Sequence, residues 1–172
     1  MRRARIAVGA ALALSLAFCG AGAWTYAQAR GDDSLAYGRE RDEALADGRE
    51  RLSVLHTLDA SSRAHAQEGI RAWRTAATGP LRAELGRTKP EKGASARGTV
   101  TEAALTALDT RAGTAKLIAT VRVEVTPAGA ARASTDRKRL EAVLARTGPG
   151  EWKVKALSAI PLARTAEEEE GR

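Results

Sequence analysis

Two histidines and a nearby carboxylate are the residues of this chain best suited to acid–base chemistry. His56 and Asp59 are three residues apart, so on a continuous helix they would be neighbours and could act as a general base. The same spacing fits a corner between two helices, with Asp59 capping the second helix and His56 half-buried, and we favour this structural interpretation. His65 lies beside Arg63 and Gln67, and two histidines nine residues apart do not supply the three convergent ligands of a metal site. We therefore predict no catalytic residue, no metal site and no cofactor.

Charge and aromatic content argue against a nucleic-acid partner. The 172 residues include 28 Lys and Arg against 21 Asp and Glu, a formal net charge of +7, and the positive charges are spread along the chain. Only Tyr37, Trp73 and Trp152 are aromatic beyond residue 30. Single-strand binders usually interleave basic residues with several stacking aromatics. We expect the basic residues to form a solvated surface.

The first 29 residues have the composition of a membrane anchor. Three arginines among the first five residues precede a stretch, 6–27, that has no charged side chain. As a helix rising about 1.5 Å per residue, this stretch spans roughly 33 Å, enough for a hydrocarbon core of about 30 Å. Trp24 and Tyr26 suit the headgroup region at its far end. The arginines predict a cytoplasmic N-terminus, with the following domain outside the cell membrane.

Two processed forms of this leader remain open. Ala27-Gln28-Ala29 fits the small-x-small pattern of a secretory cleavage site. Cys19 approximates a lipidation site, although the bulky Phe18 before it departs from the small residue expected there. Cys19 is the only cysteine, so the domain can form no internal disulfide. We favour the retained helix, and all three forms place the domain outside the cytoplasm.

Helical patterns fill the first half of the chain that follows. Residues 30–56 predict an amphipathic connecting helix that continues into the domain, with a stripe of Leu45, Leu52 and Leu55. A second helix is predicted from 57 or 59 to about 77, ended by Gly79-Pro80, with a short turn at 81–85. Residues 86–98 have the composition of a loop.

Strand patterns fill the second half. Residues 117–126 alternate between apolar and polar side chains, and 99–108 form a weaker strand candidate ending in a turn at 110–113. Residues 132–146 fit a long strand or a short helix, and we favour the strand. A turn at 148–150 and a last strand from Trp152 would complete a hairpin. The order predicts an α+β domain, 57–163, with helices on an antiparallel sheet, followed by a disordered acidic tail, 164–172.

Several short motifs resemble the Mce-associated membrane proteins of actinobacteria, within the nuclear-transport-factor-2-like (NTF2-like, cystatin-like) superfamily. They are Trp24-x-Tyr26 with the Asp32-Asp33 that follows, the segments 55–59, 77–81 and 84–85, Trp73, and the strands 121–125 and 151–154. The chain departs from the family in its few aromatics and in a linker that lacks the usual apolar residues. The resemblance implies a transmembrane helix followed by helices packed on a curved, cone-shaped sheet. It implies no catalytic residue.

The resemblance also implies a function. We expect a non-catalytic, single-pass accessory domain at the cell envelope, with protein partners in an assembly for lipid import. One alternative is a small hydrophobic-ligand binder or enzyme that uses the cone cavity; an enzyme resembling the ketosteroid isomerases would need an acid and a donor facing it. Glu102, Asp109 and Glu124 are the acids of the strand region, but no Tyr lies there to act as donor. Another alternative is a structural spacer or a dimerisation module, as a homodimer.

Overall fold

The computed structural model describes residues 22, 24–26, 33–129 and 132–161. The chain divides into two compact units, Met1–Arg39 and Glu40–Arg172. Most of the predicted anchor, including Cys19, and the whole of the predicted tail, 164–172, lie outside the described residues, while Gly22 and Trp24–Tyr26 are helical. Within the described ranges, no helix combines the length and the apolar character needed to cross a membrane.

Three helices precede the sheet. They are α1 (Asp33–Leu55), α2 (Arg63–Ala76) and α3 (Gly79–Leu85). The second helix starts later than predicted because Ser62 caps it: the His65 backbone N–H donates to Ser62 Oγ at 3.1 Å. The prediction that Asp59 would cap this helix was therefore wrong. Pro80 lies in the first turn of α3, where its missing N–H leaves no helix hydrogen bond unmade.

Four antiparallel strands follow in the order of the chain. They are β1 (Ser95–Asp109), β2 (Thr114–Thr126), β3 (Ser134–Gly148) and β4 (Glu151–Ala159). Residues 132–146 thus lie mostly in a strand, and the helical alternative was wrong. β1 begins inside the predicted 86–98 loop. Gly113 and Gly150, in the turns between neighbouring strands, have φ of 60° and 66°, which a residue with a Cβ rarely adopts.

The side of the sheet that packs against α1 is here called the core face. Along β2, alternate residues are buried, as the period-two pattern predicted. Gly48 of α1 faces this surface: a Cβ there would come within 2.9 Å of Leu117 Cδ2 and Leu144 Cδ1. Its cost to helix propensity is offset by this close approach. The predicted α+β architecture, helices packed on an antiparallel sheet, is confirmed. The buried cluster consists of Ala44, Leu52, Ala115, Leu117, Ala119, Ala142, Leu144, Trp152 and Val154.

The helical segment also pairs with both outer strands. Leu58 and Ala96 exchange two backbone hydrogen bonds of 2.8 Å on the edge of β1. At the opposite edge, the Thr78 N–H donates to the Val154 carbonyl at 2.8 Å. The connections before and after α2 are therefore fixed to opposite edges of one sheet.

Candidate functional site

The predicted His56–Asp59 pair does not form. His56 Nδ1 lies 2.8 Å from the Leu52 carbonyl, one turn back in α1, and the side chain is half-buried. Burial lowers the pKa of His56; the Leu52 hydrogen bond opposes this shift and the positive charge of Lys138 adds to it. His56 is thus held in the half-buried position that the structural interpretation predicted.

Asp59 instead joins a small exposed cluster with Ser61 and His65. His65 Nδ1 lies 2.9 Å from Ser61 Oγ and 3.2 Å from Asp59 Oδ2. In a catalytic triad, one ring nitrogen of the histidine faces the serine and the other is held by the carboxylate. Here the serine and the carboxylate both face Nδ1, so the three residues do not have the arrangement of a triad. The hydrogen bonds from Ser61, more than the charge of His65, lower the pKa of Asp59.

The Asp59 carboxylate has a structural explanation. Its Oδ1 accepts from the Ser61 N–H at 2.9 Å and from Ser95 Oγ at 3.3 Å, and Ser95 Oγ accepts from the Ala60 N–H at 3.0 Å. These bonds connect the loop after α1 to the start of β1. An open groove of about 380 Å³ lies beside the cluster, between α1 and α2, with Ser53 and Gly69 in its lining.

The acids of the strand region do not converge on one point. Asp109 accepts hydrogen bonds from the Arg111 and Ala112 N–H groups, at 3.0 and 2.8 Å, in the turn after β1. Glu102 and Glu124 are exposed on the side of the sheet opposite the core face. Across the described residues, no three His, Cys, Asp or Glu side chains are grouped to hold a metal ion.

The side of the sheet opposite the core face, here called the outer face, has a different chemistry. Arg122 and Thr120 point outward because they alternate with buried Val121. In the ladder with β3, Arg122 lies directly opposite Arg137, and Thr120 lies opposite Arg139. An open groove of about 500 Å³ crosses this face; its lining includes Glu102, Ala104, Ile118, Thr120, Arg137 and Arg139.

Arg122, Arg137 and Arg139 form what we call the arginine cluster. Like charges directly opposite each other in a sheet are destabilising, and Arg122 and Arg137 have this relationship. Three acids share the outer face: Glu124 lies opposite Arg97, Glu141 opposite Ile118, and Glu102 opposite Thr120. Among the residues that the structure describes, none of the three arginines comes within 4.0 Å of a carboxylate oxygen.

One border of the arginine cluster is a free strand edge. β4 pairs with β3 only as far as Ala159, opposite Leu140, and the Ile160 N–H then donates to the Arg139 carbonyl at 2.8 Å. Residues 134–138 of β3 are paired with β2 on one side. On the other side, the described part of the chain supplies no ladder partner, so the backbone groups of this edge can accept a further segment.

Sequence reasoning did not identify this surface. The run Arg137-Lys138-Arg139 is visible in the sequence, but only the strand register puts Arg122 opposite it. The ambiguity of 132–146 concealed that register, because a helix and a strand place these side chains on different faces. A hairpin counted back from the 148–150 turn gives only the pairing of β3 with β4, so it does not reveal the register between β2 and β3.

The fold and this surface define an α+β domain with one packed and one open sheet face. Neither a protein-family profile nor a curated protein matches the chain. One solved structure, described as "Ntf2 like protein involved in plasmid conjugation", is similar to 74% of this chain, with a TM-score of 0.49 and 12% identity. The similar region covers 51% of that protein, so this chain spans about half of its length. The Mce-associated branch stays a prediction.

Proposed function

We propose that this chain is a non-catalytic accessory domain, anchored by a single N-terminal helix, that works through protein contacts on the outer side of the cell membrane. The anchor is supported by the uncharged stretch 6–27 with its preceding arginines. Its place in an actinobacterial envelope assembly of the Mce lipid-import type is supported by the resemblance of the short motifs around Trp24, Trp73 and the last strand.

The difference between the two sheet faces is the observation that supports a role in protein contacts. The space between α1 and the core face is occupied by packed side chains, including the fully buried Trp152, Leu52 and Leu117. This packing disfavours the alternative of a small hydrophobic ligand held between α1 and the sheet. The outer face, in contrast, offers an apolar floor at Ile118 beside charged and hydroxyl groups, the mixture found at interfaces between proteins.

Affinity purification of the full chain from detergent-solubilised membranes tests the proposal. We expect envelope transport components to copurify with the wild-type chain. Ile118→Glu, which puts a charge on the floor of the outer face, should reduce this recovery several-fold. The matched control Ala64→Glu, at an exposed position of α2, should leave it unchanged. Equal recovery with both variants, or turnover of a substrate by the purified chain, would contradict the proposal.

Two further measurements test how the chain is anchored and on which side of the membrane the domain lies. Intact mass of the chain isolated from membranes distinguishes a retained leader from cleavage after Ala29 and from lipidation at Cys19. In a Cys19→Ser background, Ala128→Cys in the turn between β2 and β3 should react with a membrane-impermeant maleimide on intact cells. Labelling only after lysis would place the domain inside the cell and refute this part of the proposal.

The structural alternative, a dimerisation module, predicts a different hydrodynamic result. Sedimentation of the detergent-solubilised chain over a hundredfold concentration range should show a single species if the domain works through other proteins. A mass that doubles with concentration would favour the homodimer.

A further inference from the structure

We propose that the edge of β3 at residues 134–138 binds an extended acidic segment of a partner protein, which adds to the sheet as a short antiparallel strand beside the arginine cluster. The inference rests on the proposed function, in which the domain works through protein contacts, and it names the chemistry of the partner. The docking itself can be measured on the purified chain, without any envelope component.

The pairing of Arg139 shows which backbone groups of β3 face this edge. The Arg139 carbonyl accepts from the Ile160 N–H at 2.8 Å, so the backbone groups of Arg139 point away from β2. In an antiparallel ladder, every second residue directs its N–H and C=O to the same side. The backbone groups of Arg137 and Thr135 therefore face the edge, where the described part of the chain supplies no ladder partner. A segment that adds to the sheet can pair with both residues, as in recognition by β-augmentation.

One of these backbone groups is bonded locally. Asp136 Oδ1 accepts from the Arg137 N–H at 2.8 Å, so this N–H has an acceptor oxygen on the side of the edge. A carbonyl of an added strand would take the place of that oxygen. Because Asp136 is exposed, its carboxylate would return to water, and the exchange of one hydrogen bond for another has a small net cost.

The charges beside the edge favour an acidic segment. Since the backbone groups of Arg137 face away from β2, Arg122 and Arg137 form a non-hydrogen-bonded pair, in which the Cα atoms are about 4.5 Å apart and the side chains are closest. An acid opposite Arg137 on the added strand would lie in the same row as both guanidiniums and would reduce their repulsion. Guanidinium and carboxylate also form charge-assisted, often bidentate, hydrogen bonds. Lys138, on the opposite face of the strand, favours a second acid at the neighbouring position.

The direction of pairing predicts the order of residues in the partner. An antiparallel segment, read from its N-terminal end, meets in turn Lys138, Arg137, Asp136 and Thr135. Pairs of opposite charge and pairs of threonines stabilise neighbouring strands. The expected order is therefore acid, acid, base and threonine. The paired segment begins opposite Lys138, because Ile160 already pairs with Arg139.

Two other occupants fit this edge less well. In a symmetric antiparallel pair of two copies, the residue on the twofold axis meets itself, so Arg137 would face Arg137 or Asp136 would face Asp136. An anionic membrane surface would meet Glu102, Glu124 and Glu141, which share the outer face with the arginines. It also lacks the alternating donors and acceptors with which a strand satisfies the backbone of an edge.

Binding of a synthetic peptide to the full chain in micelles of a neutral detergent tests the inference. The probe contains two glutamates, a lysine and a threonine in that order, between flexible glycine–serine ends. Hydrogen exchange of individual amides is followed by NMR at low salt. At ten times its dissociation constant, the probe should slow exchange of the Thr135 and Arg137 amides about tenfold, because the edge is then free only about a tenth of the time. The Asp136 and Lys138 amides, which face β2, should be unchanged.

Matched variants separate strand pairing from charge. A probe with an N-methyl group on the second glutamate keeps both charges but cannot donate to the Arg137 carbonyl, and it should bind about 2- to 10-fold more weakly. A probe with glutamines in place of the glutamates should lose a similar factor at low salt. Arg137→Gln in the protein should weaken binding of the glutamate probe and not of the glutamine probe. The control Arg63→Gln, at an exposed position of α2, should leave both affinities unchanged.

Four results would overturn the inference. Absence of protection at Thr135 and Arg137 at every probe concentration would leave the basic residues as a guard of the edge against association. Equal affinity of the N-methyl and unmodified probes would reduce the contact to charge attraction without strand pairing. Protection by anionic lipid micelles and not by the probe would assign the edge to the membrane. Protection that rises with protein concentration without the probe would assign it to a second copy.

These outcomes are independent of the test of the proposed function. None of them requires copurification of an envelope component. Loss of copurification with intact binding of the probe would contradict the envelope assembly alone, whereas copurification without binding of the probe would contradict this inference alone.

Discussion

The two faces of the sheet are built from the same strands and differ in almost every physical property. On β2, Leu117, Val121 and Val123 of the core face are buried, while Arg122 and Glu124 between and beside them are exposed. A one-residue change of register would exchange the two sets. Burial of the apolar set therefore fixes the register, and the register in turn fixes which charges meet on the outer face.

This difference separates stability from recognition within one sheet. Removal of apolar area from water stabilises the core face by about 25 cal/mol per Å². The outer face contains two arginines directly opposite each other, Arg122 and Arg137, and such a like-charged pair is destabilising. We expect substitutions on the core face to affect unfolding and substitutions on the outer face to affect binding. Substitutions on each face therefore test whether stability and binding are separated in this way.

The largest effect is expected at Trp152, which is fully buried on the core face, near the start of β4. Trp152→Ala should lower the free energy of unfolding by about 3–5 kcal/mol, because it removes a large apolar side chain and leaves a cavity. The matched outer-face change Ile118→Ala should cost on the order of 1 kcal/mol, since Ile118 is only half-buried. Urea denaturation of the full chain in micelles, followed by circular dichroism, measures both. Equal decreases in the free energy of unfolding for the two variants would contradict the division between the faces.

Gly98 on β1 gives the next largest effect. A Cβ there would lie 2.4 Å from His56 Cβ and 3.1 Å from the His56 carbonyl carbon and oxygen. Because part of the obstacle is backbone, Gly98→Ala should destabilise the fold by about 1–3 kcal/mol. Gly93→Ala is the control: nothing lies within 4 Å of its Cβ position, and a stabilisation of about 0.4–1 kcal/mol is expected there. A neutral Gly98→Ala would show that α1 can move away from the sheet.

The close contacts at Gly48 and Gly98 show what the sequence could and could not predict. The period-two pattern predicted β2 and its buried residues, because burial of one face leaves a local signal. Gly48 and Gly98 carry no such signal: their roles depend on α1 meeting strands that are distant along the chain. The Asp59–Ser61–His65 cluster was missed for a related reason. The second helix starts after Ser62, and the loop before it can therefore turn Asp59 toward His65.

Acidification should weaken the contact between α1 and the sheet through His56. Its folded pKa is lowered from the usual 6.5, chiefly by burial, so the unfolded chain binds the proton more readily. Stability is then fully present above about pH 6.5 and is lost as the pH falls from there through the folded pKa. His56→Gln should flatten this slope, which one proton limits to about 1.4 kcal/mol per pH unit.

The carboxylates act in a separate pH window. The pKa of Asp59 is lowered from 3.8, chiefly by the Ser61 side-chain hydrogen bond, and that of Glu151 from 4.5, chiefly by Lys153. Their contributions are present above those values and are lost only as the pH falls below them. Denaturation series between pH 5 and 7 therefore isolate His56. A slope that His56→Gln leaves unchanged would contradict the assignment.

The smallest effect is expected on the outer face, at Arg122. Arg122→Gln removes one of two directly opposed guanidiniums and should raise the free energy of unfolding by about 0.2–0.5 kcal/mol. Glu124→Gln removes the carboxylate opposite Arg97 and should lower it by a similar amount. Both changes should vanish at about 1 M salt, where exposed charges are screened.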